Sequence, residues 1–217
     1  MRWLLLVFLA VVAVACGDAH RTPSKPVKSA TPEQLHAVAE KPAKSRTAQC
    51  LDSLGYENIA ERDTSIAIDL MYARADNFVG RVLYADLREA YLHPMAMECL
   101  LKAQRLLREK HPEYRLIVYD AARPMSVQQQ MWDVVKGSSK SRYVSNPAHG
   151  GGLHNYGLAV DISIADSLGR PLPMGTAVDH LGSEAGITHE AALVEQGKIT
   201  AQERANRQLL RSVMKEA

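Results

Sequence analysis

An excess of either charge is lacking in this chain of 217 residues: 26 Lys and Arg stand against 24 Asp and Glu, a formal balance of +2. Residues 1–48 carry seven basic and three acidic side chains, so the remaining 169, with 19 against 21, are slightly acidic. The main body therefore lacks the basic footprint that nucleic-acid phosphates demand, and DNA and RNA partners are excluded. Internal repeats are absent. With 47% hydrophobic and 23% charged residues the chain can bury a core, which excludes wholesale disorder and a coiled coil. It is too short for two full domains of typical size.

Long apolar runs are also missing, apart from the eleven residues Leu4 to Val14, too few to span a bilayer comfortably. Met1-Arg2 precedes that run as a positive n-region, and Ala13-Val14-Ala15 supplies small residues at a cleavage site. Cys16 follows directly, and the pattern resembles a bacterial lipoprotein signal in which that cysteine becomes the lipidated first residue. An ordinary cleaved secretory peptide is the plainer alternative. Residues 1–15 are thus expected to be a signal peptide, and the protein to be exported to the periplasm or cell envelope, touching a membrane only through a lipid anchor at Cys16. Residues 16–48, rich in Pro, Lys, Ser, Thr and Ala, read as a flexible tether. Cys50 and Cys99 are the only other cysteines, in a compartment that tolerates disulfides. Whether they pair or stay free is left open.

Residues 49–217 read as the folded domain. Ile66 to Leu70 alternates like a half-buried strand, and Asp76 to Gly80 is a turn. Pro94 opens a helix to about Lys110 with Met97, Leu100, Leu101 and Leu107 on one side, and Arg115 to Asp120 is a short buried strand. A second helix follows Pro124, a Gly/Ser/Asn-rich loop covers Gly137 to Gly152, and Leu158 to Ile164 alternates as a strand. Thr200 and Glu203 form a capping box before a last amphipathic helix. Without regular βαβ alternation, the mixture predicts an α+β fold.

Chemistry concentrates in His154-Asn-Tyr-Gly157-Leu-Ala-Val-Asp161. A mid-strand carboxylate among aliphatic residues is costly to bury unless paired or bound to a metal. His154 and Asp161 converging from a turn and its strand make either half a zinc site or a structural pair.

That segment resembles the S-x-H-x-x-G-x-A-x-D signature of the zinc D-alanyl-D-alanine dipeptidases. Four further stretches match in order: Tyr72-Ala-x-x-Asp-Asn77-Phe78-x-Gly80, Asp120-Ala-Ala-Arg123-Pro124, Pro173-Met174-Gly175-Thr176 with Asp179, and Asn206-Arg207 to Met214. The resemblance implies a central antiparallel sheet flanked by helices, the fold of the hedgehog-like zinc D,D-peptidases, here without its last strand. It implies one Zn2+ held by His154 and Asp161, an oxyanion-stabilising Arg123 oriented by Asp120, and Tyr72 with Asp179 on the substrate's free ammonium. D-alanyl-D-alanine in the cell envelope is the implied substrate. The other histidines read as surface or supporting residues.

Two departures stand out. Gly152 occupies the place of the family's Ser, which helps hold the substrate carboxylate. The family's E-x-x-H, usually E-W-W-H, would supply the third zinc ligand and the general base after the last helix, and the sequence stops at Ala217 before it. That helix is still amphipathic at Val213-Met214, so a truncated copy of an active enzyme is expected, ahead of a catalytically dead gene product. The chain as it ends is then expected to be inactive or nearly so. A D,D-carboxypeptidase acting on longer muropeptides and a non-catalytic envelope lipoprotein are the alternative readings.

Overall fold

The computed structural model describes residues 43–217, which form one compact unit. The expected signal peptide and nearly all of the expected tether lie outside the described residues. Helix α1 (Arg46–Ser53) begins within the stretch read as tether. Ser45 caps it by accepting from the Ala48 N–H, and Ala48 is fully buried. The elements that follow are β1 (Glu57–Asn58), α2 (Ile59–Arg62), β2 (Ala67–Ile68), β3 (Tyr91–Leu92), α3 (Pro94–Lys110), β4 (Arg115–Asp120), α4 (Met125–Val135), β5 (Asp161–Ala165), α5 (Glu190–Glu195) and α6 (Ala201–Glu216). Three short 3-10 turns, Ser139–Tyr143, Pro147–His149 and Leu153–Tyr156, structure the loop between α4 and β5.

The α+β expectation holds, and its sheet differs in detail. β1 and β3 form a separate antiparallel ribbon, while β2, β4 and β5 make a mixed sheet with β4 in the middle. β4 pairs antiparallel with β5 but parallel with β2, so the central sheet is not wholly antiparallel. β4 is buried on both faces, which is why Leu116, Ile117, Val118 and Tyr119 run without polar alternation.

Helix α3 packs across this sheet. Its Met97, Leu100, Ala103 and Leu107 are essentially inaccessible. The one polar member of that face, Gln104, is satisfied: its Oε1 accepts from the Leu116 N–H and its Nε2 donates to Ser65 Oγ. His93 caps the helix and Pro94 sits at its first position, where a missing N–H costs nothing. Cys50 and Cys99 are both exposed free thiols.

Helix α6 opens on the anticipated capping box, Thr200 Oγ1 accepting from Glu203 N and Glu203 carboxylate accepting from Thr200 N. It is anchored to α5 by a pair the sequence did not suggest. The buried Glu190 carboxylate takes two hydrogen bonds from Arg211, at 2.7 and 2.5 Å, with Arg207 3.8 Å away. The Arg211 hydrogen bond, the strongest influence, holds the Glu190 carboxyl below its ordinary range.

A depressed carboxylate stabilises the fold above the unfolded pKa of about 4.3 and loses that contribution as pH falls through the lower folded value. Glu190→Gln is therefore expected to lower stability at pH 7 by about 2 kcal/mol. The gap between wild type and variant in denaturant titrations should shrink toward pH 3; a gap that is constant with pH would contradict the assignment.

Candidate functional site

Strand β4 ends in a kink that makes the site. Val118 lies opposite Ile162, but Asp120, two residues on, lies opposite Asp161, one residue back. In unbroken register Tyr119 would face Asp161; the extra residue puts the Asp120 carboxylate there instead. Asp120 has no exposed surface. Its Oδ2 accepts from Arg123 Nε at 2.8 Å and Nη2 at 2.5 Å, and its Oδ1 accepts from the Tyr84 hydroxyl. Burial raises the Asp120 pKa, and the Arg123 guanidinium works against that rise.

Arg123 is itself only 9% exposed and turns toward the cavity. Its guanidinium carbon lies 5.1 Å from the centre of the Tyr72 ring, its Nη1 donates to Gln128 Oε1 at 2.9 Å, and its Nη2 is 3.6 Å from Asp161. A guanidinium gripped on two edges has one orientation, and its partners offset part of the cost of holding it out of water.

His154 belongs to the 3-10 turn Leu153–Tyr156, which closes on Gly157 in the left-handed conformation at φ 63°. A Cβ on Gly157 would lie 2.8 Å from the His93 backbone nitrogen and strike the Tyr56 ring. The turn and β3 can therefore approach closely enough for the His93 N–H to reach the Gly157 carbonyl at 2.9 Å. Nδ1 of His154 meets the Ala121 carbonyl at 2.9 Å, which fixes that nitrogen as the protonated one and leaves Nε2 facing Asp161 Oδ1 at 3.5 Å. Burial disfavours the imidazolium, but the Asp161 and Asp120 carboxylates outweigh it and raise the His154 pKa. Burial likewise pushes Asp161 up, and His154 more than reverses the effect. Asp120, His154 and Asp161 offer donor atoms within 4.8 Å of one another, the one cluster among the described residues able to hold a metal ion.

Across the cavity, Tyr72 donates to Asp179 Oδ1 at 2.8 Å. Burial pushes the Tyr72 phenol far up, so it remains a donor. Asp179 sits at φ 70°, a strained backbone for a non-glycine residue. Its Oδ2 is buried with no hydrogen-bond partner, and burial raises its pKa. The turn that carries it is held from α6, where Asn206 donates to the Pro173 carbonyl at 2.8 Å and Arg207 to the Met174 carbonyl at 2.5 Å. The late-helix motif thus fixes the turn rather than entering the site.

All six residues singled out from the sequence, Tyr72, Asp120, Arg123, His154, Asp161 and Asp179, come together. Four supporting residues escaped the sequence reading. Tyr84 and Gln128 grip Asp120 and Arg123, while Asn155 bridges the Arg123 carbonyl and the Gly152 N–H. Ser145 is the fourth, its carbonyl accepting from Gln128 Nε2 at 2.8 Å. Only Gln128 left a trace: it falls on the buried stripe of α4 with Met131 and Val135, where a lone amide calls for a partner. At Gly152 an added Cβ would lie 2.6 Å from Ser145 Oγ, so a side chain there would collide with Ser145. One E-x-x-H spacing does occur in the chain, Glu33-Gln-Leu-His36, outside the described residues.

Gln128→Leu keeps the helix and removes both grips. It is expected to lower stability by about 2 kcal/mol, because the Arg123 Nη1 and the Ser145 carbonyl lose their partner. Denaturant unfolding measures this, and a neutral result would mean water replaces the amide.

Two comparisons bear on this geometry. The family profile described as D-ala-D-ala dipeptidase, peptidase M15, matches residues 52–217. The D-alanyl-D-alanine dipeptidase of Escherichia coli strain K12 is 29% identical over 149 residues, 69% of this chain and 70% of that protein. The match takes in every residue of the cluster just described, and the chain belongs to the peptidase M15, D-Ala-D-Ala dipeptidase family.

Proposed function

We propose that this protein is a zinc-dependent hydrolase of the D-alanyl-D-alanine dipeptide, working in the cell envelope. The observation that carries the reading is the convergence of an imidazole Nε2, the carboxylate it faces and a buried guanidinium beside an unpartnered carboxylate oxygen.

Two donors of the kind zinc takes are present, where catalytic sites use three plus water. His154 offers Nε2 because Nδ1 is committed to a backbone carbonyl, and Asp161 offers a carboxylate oxygen 3.5 Å away. Asp120 has both oxygens occupied, which suits it to orienting Arg123 rather than to ligation. Zinc bound there would polarise the scissile carbonyl and acidify water at neutral pH. The family resemblance assigns a third donor and the general base to an E-x-x-H.

Arg123 stabilises the negative charge that develops on the carbonyl oxygen, and its grips remove the cost of reorienting it in the transition state. Asp179 and Tyr72 receive the ammonium. An orphaned carboxylate oxygen, next to a phenol whose proton is committed to Asp179 and whose oxygen can still accept, is completed by a cation with N–H donors. The cavity lined by Tyr72, Arg123, His154, Asp161 and Asp179 measures about 170 Å3, below the range of drug-sized pockets. That size suits a dipeptide.

A neighbouring cavity of about 580 Å3 shares Asp161 and Asp179 as walls. It favours a second reading, a D,D-carboxypeptidase on longer muropeptides. Export rests on the apolar run Leu4–Val14, with a lipid anchor at Cys16. No helix among the described residues is long and apolar enough to cross a membrane.

His154→Ala and Asp161→Ala are each expected to weaken zinc binding by about 10-fold or more relative to wild type in a metal titration, since each removes one of two assigned donors. Asp179→Asn should weaken D-alanyl-D-alanine binding by about 10-fold or more, the worth of one charged hydrogen bond. In calorimetry the wild type should prefer the free dipeptide over its N-acetyl form. Equal binding or cleavage of both would shift the assignment to the carboxypeptidase.

A further inference from the structure

The site is polarised. Asp120, Asp161 and Asp179 stand on one side of Arg123. The facing loop, which enters the cavity at Tyr143, Ser145 and Gly152, has no acidic residue from Val134 to Val160 and carries Lys140 and Arg142. Contacts run across the cavity in a line: Asp179 to Tyr72, Tyr72 to Arg123, Arg123 to Gln128, and Gln128 to Ser145. A zwitterionic dipeptide bound with its ammonium at Asp179 and its peptide carbonyl at Arg123 sends its carboxylate toward the Ser145 end. Like-charge repulsion from the three aspartates favours the same direction.

Few side chains there can receive it. The hydroxyl of Ser145 lines the cavity, is exposed, and makes no hydrogen bond with any described residue. Its backbone is fixed through Gln128, the same side chain that holds Arg123, so the Ser145 backbone and the guanidinium are tied to one side chain. Gly152 contributes by being small. Its backbone, at φ −130° and ψ 178°, is open to any residue, yet a Cβ would stand 2.6 Å from Ser145 Oγ and 3.1 Å from Ser145 Cβ. What the glycine preserves is the position of the Ser145 side chain, not a backbone conformation.

We propose that Ser145 is a positioning and specificity-determining residue whose hydroxyl donates to the C-terminal carboxylate of the dipeptide, with Gly152 keeping its place clear. This rests on the dipeptidase reading above. It predicts selection for a free carboxylate from one hydrogen bond to a charged group, about 10-fold in affinity.

The test is calorimetric binding of D-alanyl-D-alanine and of its C-terminal amide to zinc-loaded wild type, Ser145→Ala and Gly152→Ala. The wild type should prefer the free acid. Ser145→Ala should weaken the free acid about 10-fold while changing the amide less than twofold, with its unfolding midpoint unchanged because the side chain is exposed. Gly152→Ala, which displaces the hydroxyl without removing it, should reduce the same preference. An undiminished preference in Ser145→Ala, or an equal loss for acid and amide, overturns the role of Ser145 and leaves the dipeptidase reading standing. A wild type that binds neither ligand overturns both.

Discussion

The buried pair Asp120–Arg123 is the constraint around which the rest of the site is arranged. A carboxylate with no solvent contact is tolerable only when its oxygens are paired, and here two guanidinium nitrogens and the Tyr84 hydroxyl donate to them. The pair in turn requires the irregular register at the end of β4, without which Tyr119 would take the place of Asp120. One extra residue in a strand therefore brings the guanidinium, the histidine turn and Asp161 to a common point.

Rigidity spreads outward from that pair by hydrogen bonds to backbone rather than between side chains alone. His154 is held by the Ala121 carbonyl, Asn155 by the Arg123 carbonyl, and the loop carrying Ser145 by Gln128. Each tie joins two of the segments that meet at the cavity, so the loop between α4 and β5 is fixed despite having little regular structure. On the far wall the same device operates, with α6 gripping the carbonyls of Pro173 and Met174. The strained Asp179 is tolerated because that turn is held in place, and its Oδ2 is buried without a hydrogen-bond partner.

Much of this was legible in advance. Helices α3 and α6 and strand β4 follow from apolar periodicity and caps, because those signals are local. The six residues of the cluster follow instead from the resemblance of short ordered motifs to the dipeptidase family. The β1–β3 ribbon was not legible, since two-residue strands carry no period. Helix α1 was hidden within a Pro/Lys-rich composition, and its Ser45 cap is visible only once Ala48 is seen to be buried. The central sheet was expected to be antiparallel, but β2 joins it in parallel, a pairing set by the path of the chain between Ile68 and Arg115.

By itself the sequence determined the element types, the family and the chemical identities at the site, because each is written in neighbouring residues. Only the tertiary structure decided which groups are committed and which are free. Asp120 is committed to Arg123 and Tyr84, Nε2 of His154 faces Asp161, Oδ2 of Asp179 has no partner, and Ser145 occupies the space that a side chain at position 152 would need. Those outcomes depend on contacts such as Tyr72 with Asp179, 107 positions apart, and on an irregularity in register that no local pattern encodes.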